Sequence, residues 1–412
     1  GTRFTRAYCQ GTYCGPSRAS FMSGYYPHAM GVLGYKSPRP QIGDRATWSQ
    51  YFMNHGYHAA RVSKIYHMGV PGGIEQGGHG ADDAASWNER YNSPGPEWRA
   101  PGKGETLQGN PDGKRPVVGG NTFVVVEAEG DDLVHSDGKT AVKAAELIGK
   151  FSKQDQPFFL GVGFVRPHVP FVAPKKYYEP FLPYSKMKLP PKIEGDWDDI
   201  PKPGINYCTS LNMKMDIRKQ KKAVGGYYAS VAFVDAQVGK VMAALKASGQ
   251  EDNTIVIFTS DHGFHLGEHD FWAKVSLLDE SSQVPLIISV PGKQPAVCHS
   301  LTELLDLYPT LAALCGLPAQ PRLQGKDISR MLDDPAHTVR TAAFSVAPMR
   351  KGFLLREDDW AFIQYGEQGQ NGMELFHIKT DPHQYTNLAG KPAHAPTLDR
   401  FRKQMTAKLA AI

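Results

Sequence analysis

The sequence predicts an α/β protein with a large, central, mostly parallel sheet flanked by helices. Four short apolar runs, rich in β-branched and aromatic residues, predict buried strands. These runs are roughly Thr122–Glu127, Pro157–Val165, Thr254–Thr259 and Pro285–Val290. Helical patterns over Lys139–Lys150 and Gly226–Ala247 alternate with them. Strands that alternate with helices indicate βαβ units, whose helices cover both faces of a parallel sheet.

Each predicted helix has one apolar face. Ser136 or Asp137 is the expected cap of the first helix. The second helix carries a longer apolar stripe, which predicts its core-facing side. That stripe consists of Tyr228, Val231, Val234, Val238, Val241 and Leu245.

After Pro321 the pattern changes to short strands followed by an amphipathic helix. The expected strands are Ala343–Phe344, Gly352–Leu355 and Trp360–Tyr365, and the expected helix is Thr397–Ala411. The sequence therefore predicts a large domain over residues 1–320. A smaller α+β subdomain with a short antiparallel sheet is predicted over residues 321–412.

Composition excludes several classes of protein. With 412 residues, 41% hydrophobic and 21% charged, the chain is typical of soluble proteins, and no apolar run is long enough to span a bilayer. The net charge of +5 comes from scattered basic residues without a nucleic-acid-binding motif, which argues against nucleic acid as a partner. Five cysteines without a C-x-x-C pair leave disulfides and compartment open.

Two long irregular stretches interrupt the alternation. Tyr91–Gly120 and Pro190–Arg218 are crowded with glycine, proline and charged residues. Loops of this length in a compact enzyme are often functional, so we expect them at the rim of a site, where they would select substrate. Solvated insertions without a function are the open alternative.

The most informative segment begins at Cys14 and continues Gly-Pro-Ser-Arg. Pro16 fixes its own φ, Ser17 is a natural helix cap and Arg18 is a permanent cation. This pattern predicts a sharp turn into a helix with Cys14 at its start, where helix termini attract anions. A buried structural cysteine is the alternative.

Three further groups carry chemistry. Asp261 and His262 follow a predicted strand, where ligands of α/β sheets bind, and they offer oxygen and nitrogen to a metal ion, although an aspartate there is more often a cap. His168 lies between two prolines, which makes it a candidate acid. Lys64 and His67 are a candidate anion-contacting pair, with an exposed helix end as the alternative.

These segments resemble one family at several places. The stretch from Cys14 to Gly24 resembles the signature C-x-P-S-R-x-x-x-L/M-S/T-G of type I sulfatases in the alkaline-phosphatase-like superfamily. The stretch from Ser260 to His269 resembles the family pattern S-D-H-G-x-x-x-G-E-H, and Arg166–Phe171 resembles an element of the iduronate-2-sulfatase-like branch.

The resemblance implies a sulfatase that cleaves sulfate monoesters on a sulfated carbohydrate or polysaccharide. It implies that Cys14 becomes formylglycine, and that this residue, Asp261 and His262 bind Ca²⁺, with Mg²⁺ as the alternative. It gives Arg18, Lys64, His67, His168 and Lys274 catalytic roles, and Arg166, His168 and Lys274 contacts to the substrate. It also implies a formylglycine-generating or anaerobic sulfatase-maturating enzyme as partner, and a periplasmic, extracellular or (in a eukaryote) lysosomal location.

Two departures from the family pattern are expected to matter. Ser63 stands where many sulfatases have glycine before the lysine, and no acidic residue precedes Asp44, so the family's Asp-Asp metal ligands are absent. Three explanations are open: the chain is truncated, the missing piece is a separate chain, or the protein is a metal-poor relative. The chain as it stands is expected to bind calcium weakly and turn over poorly. The alternatives in function are a phosphonate or phosphate ester hydrolase and a catalytically impaired carbohydrate-binding relative.

Overall fold

The computed structural model describes residues 1–108 and 122–412. The part of the predicted loop Tyr91–Gly120 that begins at residue 109 lies outside the described residues. The strands in the described ranges are β1 (Thr2–Tyr8), β2 (His58–Ser63), β3 (Glu89–Tyr91), β4 (Gly102–Thr106), β5 (Val124–Ala128), β6 (Phe158–Gly163), β7 (Phe171–Pro174), β8 (Val256–Thr259), β9 (His265–Leu266), β10 (Trp272–Ala273), β11 (Gln283–Ser289), β12 (Ala296–Cys298), β13 (Thr302–Glu303), β14 (Ala343–Ala347), β15 (Gly352–Arg356), β16 (Trp360–Tyr365) and β17 (Met373–His377).

The α-helices of the same ranges alternate with these strands through most of the chain. They are α1 (Cys14–Ser23), α2 (Pro27–Met30), α3 (Arg39–Ile42), α4 (Trp48–Met53), α5 (Gly72–Glu75), α6 (Ser136–Phe151), α7 (Ile217–Ala247), α8 (Asp279–Ser282), α9 (Leu307–Leu314) and α10 (Ala395–Ala411). Among the described helices none combines the length and apolarity that crossing a bilayer requires. Within the same residues the five cysteines form no disulfide.

The chain divides into two compact units. The first unit comprises Gly1–Trp48, Pro191–Tyr207 and Thr254–Ile412. The second comprises Ser49–Pro190 and Cys208–Asn253. The predicted domain boundary between residues 320 and 321 stays a prediction.

The main sheet of the first unit has the order β12-β1-β11-β8, with β13 also paired to β1. Strand β11 runs antiparallel to both β1 and β8, so these two strands are parallel to each other and end at the same edge. The parallel direction predicted for Pro285–Val290 was therefore wrong. Along β11, buried Leu286 and Ile288 alternate with Ile287, which is 38% exposed, and such alternation is typical of an antiparallel strand.

The C-terminal part of the first unit is an antiparallel sheet in the order β14-β15-β16-β17. Helix α10 packs on it through Phe401 and Met405, which are buried with Phe362 and Leu375 in one core. The three predicted strands and the helix are confirmed, and β17 was not predicted. The α/β class with a C-terminal antiparallel sheet is therefore confirmed.

The second unit contains the sheets β3-β2-β6, which is parallel, and β4-β5-β7. Helix α7 begins at Ile217, earlier than predicted, where the Asp216 carboxylate accepts a hydrogen bond from the Lys219 N–H at 2.8 Å. Its predicted core stripe was wrong in part, since Tyr228 is 43% exposed. The small residues of α7 face the core instead: a Cβ at Gly226 would lie 2.7 Å from Val125 Cγ2, so only glycine permits this approach to β5.

Candidate active site

Cys14 is the first residue of α1 and follows β1 after a short connection. Tyr13 precedes it in an extended conformation, and no side chain caps the helix. Ser17, predicted as the cap, lies inside the first turn, and its hydroxyl instead donates to the Asp261 carbonyl. This bond joins the start of α1 to the segment that follows β8. The joining is possible because β1 and β8 end at one edge of the sheet.

Three other predicted site residues gather near the Cys14 thiol. His262 Nε2 lies 3.2 Å from Cys14 Sγ and 3.7 Å from Asp261 Oδ2. Arg18 Nε donates to Asp261 Oδ2 at 2.8 Å. Cys14, Asp261 and His262 thus present one ligand atom each within 4.8 Å of one another.

The protonation of His262 follows from its neighbours. Its Nδ1 lies 2.7 Å from the Gly263 carbonyl oxygen, which can only accept a hydrogen bond. Nδ1 therefore carries the proton in the neutral ring, and Nε2 presents a lone pair toward Cys14 and Asp261. This is the tautomer that a metal ligand or an acceptor needs.

Lys274 places a positive charge beside Cys14. Its buried Nζ donates to Cys14 Sγ at 3.3 Å. Burial lowers the pKa of Lys274, but the charges of Cys14, Tyr35 and Asp261 outweigh burial and raise that pKa above its usual value. The ammonium therefore stays charged, which suits the binding of an anion.

The backbone around Lys274 is constrained on both sides. Ala273 and Val275 have φ values of 66° and 79°, which are unusual for residues with a side chain. Asn206 donates to the Lys274 carbonyl at 3.0 Å, and the Val275 N–H donates to the Thr12 carbonyl at 3.1 Å. These bonds hold the segment of Lys274 against the loop that precedes Cys14.

The donor set fits part of a calcium site. Asp261 offers a hard oxygen and His262 a nitrogen, whereas the Cys14 sulfur is a soft ligand that Ca²⁺ does not favour. Conversion of the thiol to an oxygen-bearing group would make position 14 a suitable ligand. Since Ca²⁺ takes six to eight oxygens, these residues hold such an ion only together with further oxygen ligands.

The remaining predicted residues belong to the second unit. Lys64 follows β2, and its N–H donates to the carbonyl of Gly163, the last residue of β6, at 3.0 Å. Ser63 adopts a φ of 61°, the left-handed region that glycine occupies without strain. The serine at this position is therefore strained, and Lys64 and His67 follow the turn that it forms.

Arg166 and His168 lie in the loop between β6 and β7. The buried Arg166 guanidinium pairs with Glu97 and donates to the carbonyls of Val172 at 2.9 Å and His168 at 2.8 Å. Burial raises the pKa of Glu97 to about 7, and Arg166 opposes that rise. Arg166 thus supports the loop of His168, and the substrate contact expected for it stays a prediction.

Sequence reasoning missed two carboxylates behind this loop. Asp137, expected as a possible helix cap, accepts from the N–H groups of Val165 at 2.7 Å and Arg166 at 2.9 Å. Glu97 pairs with a residue far away in the sequence, and no local pattern indicates it. The available sequence signal was an arginine directly after a predicted buried strand, because a buried arginine needs a carboxylate partner.

Comparisons with known proteins agree with the geometry of the first unit. The sulfatase family profile matches residues 1–317, and the profile of the C-terminal part of N-sulphoglucosamine sulphohydrolase matches residues 267–411. The chain belongs to the sulfatase family. By its family this sulfatase is a sulfuric ester hydrolase of the alkaline-phosphatase-like superfamily, as predicted.

Relatives of this sulfatase include named enzymes. It is 31% identical to a sulfatase of Formosa agariphila over 94% of this chain and 76% of that protein. It is 32% identical to the iduronate 2-sulfatase of Mus musculus over 77% of this chain, and the match spans 63% of the mouse protein. A phosphonate monoester hydrolase from Silicibacter pomeroyi has the same fold, with a TM-score of 0.77, 20% identity and coverage of 99% of this chain and 88% of that one.

Proposed function

We propose that this sulfatase hydrolyses sulfate monoesters of a sulfated carbohydrate, using a formylglycine derived from Cys14. The observation that carries the proposal is the placement of Cys14 Sγ, 3.3 Å from the Lys274 ammonium and 3.2 Å from His262 Nε2. A nucleophile at this position lies beside the buried ammonium of Lys274, which can bind the anionic group that the nucleophile attacks. The similarity to an enzyme named iduronate 2-sulfatase supports a sugar as the alcohol part.

The two absent groups would add chemistry at defined residues. At position 14 a formylglycine would supply an aldehyde hydrate, one hydroxyl to attack sulfur and a second to release sulfate and restore the aldehyde. A Ca²⁺ or Mg²⁺ ion held by Asp261 and His262 would add positive charge at the sulfate oxygens.

The residues of the first unit prepare the sulfate position. Lys274 neutralises a sulfate oxygen, and its buried surroundings strengthen that interaction compared with water. Arg18 holds the Asp261 carboxylate in one orientation through its 2.8 Å hydrogen bond. We assign Arg18 a contact with sulfate oxygens as well, as the family resemblance implies.

We assign His168 the role of protonating the leaving alcohol. His168 Nδ1 contacts the carbonyl oxygen of Val169, which only accepts, so Nδ1 carries a proton and the second proton of the imidazolium sits on Nε2. His168 Nε2–H is then the atom that protonates the departing oxygen as the S–O bond breaks. Lys64 is proposed to bind the sulfate, and His67 to accept the proton in the release step.

The proposal extends to maturation and location. Formation of formylglycine needs a converting enzyme, either a formylglycine-generating or an anaerobic sulfatase-maturating enzyme. A periplasmic, extracellular or lysosomal location is proposed on the family resemblance.

One rival function rests on a specific similarity. The fold is shared with a phosphonate monoester hydrolase, although 20% identity carries no function across. Rates on matched aryl sulfate, aryl phosphate and aryl phosphonate esters separate the two functions. A higher kcat/KM on the phosphonate would favour the rival.

The decisive experiment replaces the nucleophile in protein coexpressed with a converting enzyme. Cys14→Ser is expected to abolish turnover of a sulfated sugar, because a serine sulfate ester lacks the second hydroxyl that releases sulfate. Cys315→Ser, at a partly exposed cysteine, is the control and should keep full activity. Mass spectrometry of the peptide that contains position 14 should show the aldehyde in active protein only. Full turnover by Cys14→Ser would refute the formylglycine proposal.

A further inference from the structure

We propose that Tyr35 forms an aromatic wall beside the nucleophile and selects sulfate esters whose alcohol part is a ring. This inference rests on the proposed function and specifies its substrate. Tyr35 belongs to the loop after α2, and none of the sequence motifs described above includes it. The loop comes back to the start of α1, and three observations place the tyrosine there.

The first observation is the close approach of the loop to Gly15. A Cβ built on Gly15 would lie 2.4 Å from the Gly34 carbonyl oxygen and 3.0 Å from Tyr35 Cδ1. Contacts this short leave no room for a side chain, so position 15 must be glycine for the loop to lie here. The ring of Tyr35 is therefore next to the residue that follows Cys14.

The second observation is the anchor on the other side of Cys14. The ring of Tyr13 meets the ring of Tyr35 edge to face, with centroids 5.5 Å apart and planes at 82°. The Tyr13 hydroxyl also donates to the Leu33 carbonyl, and Tyr13 itself is buried. Residues 13 and 15 thus hold Tyr35 from both sides of the nucleophile, and this leaves the ring few orientations.

The third observation is the solvent exposure of Tyr35. Tyr35 is 53% exposed although its neighbour Tyr13 is buried, so about half of this anchored residue remains open to solvent. Burial raises the pKa of Tyr35, Lys274 opposes that rise and Cys14 adds to it, so its hydroxyl lies within electrostatic reach of both site residues. Tyr35 therefore presents an anchored and largely exposed aromatic side chain near Cys14 and Lys274.

These features match a sulfated pyranose. The C–H face of a sugar ring is apolar and flat enough to stack on an aromatic ring, whereas an acyclic alkyl sulfate offers no such face. A rigid aromatic side chain makes this contact at a low cost in conformational entropy. Tyr35 is thus a specificity-determining residue, distinct from the groups that bind sulfate.

The test measures binding without turnover. In a Cys14→Ala background and a calcium-containing buffer, Tyr35→Ala should raise the dissociation constant of a monosulfated pyranoside about 5- to 10-fold. Tyr35→Ala should change the dissociation constant of an acyclic alkyl sulfate by less than about twofold. Tyr35→Phe keeps the ring, so both dissociation constants should stay within about threefold of those measured with Tyr35 present. Thermal unfolding midpoints establish that each variant is folded.

A second variant tests the geometry rather than the ring. Gly15→Ala keeps Tyr35 but pushes its loop away from α1. Like Tyr35→Ala, this variant should weaken binding of the pyranoside and leave binding of the alkyl sulfate nearly unchanged. The inference would be overturned if both ligands lost affinity equally, or if neither lost affinity. It would also be overturned if the chain with Tyr35 intact showed no measurable binding of the pyranoside. A chain that binds as expected but, after maturation, hydrolyses no sulfate ester would refute the proposed function alone.

Discussion

A buried ion pair beside the Lys274 segment should control both stability and activity. His269 Nδ1 lies 3.0 and 3.2 Å from the two carboxylate oxygens of Asp196, and its Nε2 lies 2.9 Å from the His383 carbonyl. Both ring nitrogens face groups that only accept, so the imidazole is doubly protonated. Burial lowers the pKa of His269, but Asp196, Glu280 and the His383 carbonyl outweigh it and raise the pKa above 6.5.

The size of the effect follows from the backbone near the pair. His269, Asp270, Ala273 and Val275 all have positive φ values, between 56° and 79°. At about 1 kcal/mol each, they store about 4 kcal/mol of strain that surrounding contacts must offset. Breaking a buried ion pair costs about 3–5 kcal/mol, so the pair is strong enough to offset this backbone strain. Asp196→Asn should therefore lower the free energy of unfolding by about 3–5 kcal/mol at pH 6 and let the segment relax away from Cys14.

The effect has a defined pH dependence. Because the pKa of His269 is higher in the folded protein than in the unfolded chain, the stability that the pair provides is complete below pH 6.5. It is lost as pH rises through the folded-state pKa. The difference between Asp196→Asn and the parent protein should thus be largest near pH 6 and shrink toward alkaline pH. Glu280, whose pKa is raised to about 7 by burial, faces His269 in both proteins, and His265 and Glu268 lie nearby.

Urea unfolding across this pH range, together with kcat/KM on an aryl sulfate, tests the reasoning. Asp198→Asn, at an exposed carboxylate two residues away, is the matched control and should change stability by less than about 0.5 kcal/mol. An Asp196→Asn variant that loses less than about 1 kcal/mol at pH 6, or whose loss grows with pH, would show that the pair does not hold the segment.

Two further predictions address the charges in each unit. Lys274→Met should lower kcat/KM for sulfate esters by about 10²–10³-fold, because it removes a buried cation from the nucleophile, and a loss below about threefold would contradict that role. Glu97→Gln should destabilise the protein by about 3–5 kcal/mol, because Arg166 stays buried without its carboxylate, and should lower kcat through the loop of His168. Urea unfolding and kinetics on the same preparation check the prediction for Glu97→Gln. A variant as stable as the parent protein would refute it.

Local sequence patterns predicted elements well and their surroundings poorly. The strands of the C-terminal sheet and the helix α10 were recognisable because alternation and helical periodicity are local properties. Capping assignments failed at Ser17 and Asp137, since both side chains bind backbone groups of distant segments instead of their own helix. The core face of α7 was misread because glycine and small residues allow closer packing than an apolar stripe does.

The sequence motifs alone identified the sulfatase family and predicted the chemistry of its site. Cys14 with Arg18, and Asp261 with His262, each lie within a few residues, so the backbone that carries them is encoded locally. Which distant groups meet became visible only in the folded chain, where Tyr35 lies against Gly15 and Glu97 pairs with Arg166. Those contacts depend on how separate segments pack, and packing is a property of the whole fold that no short pattern contains.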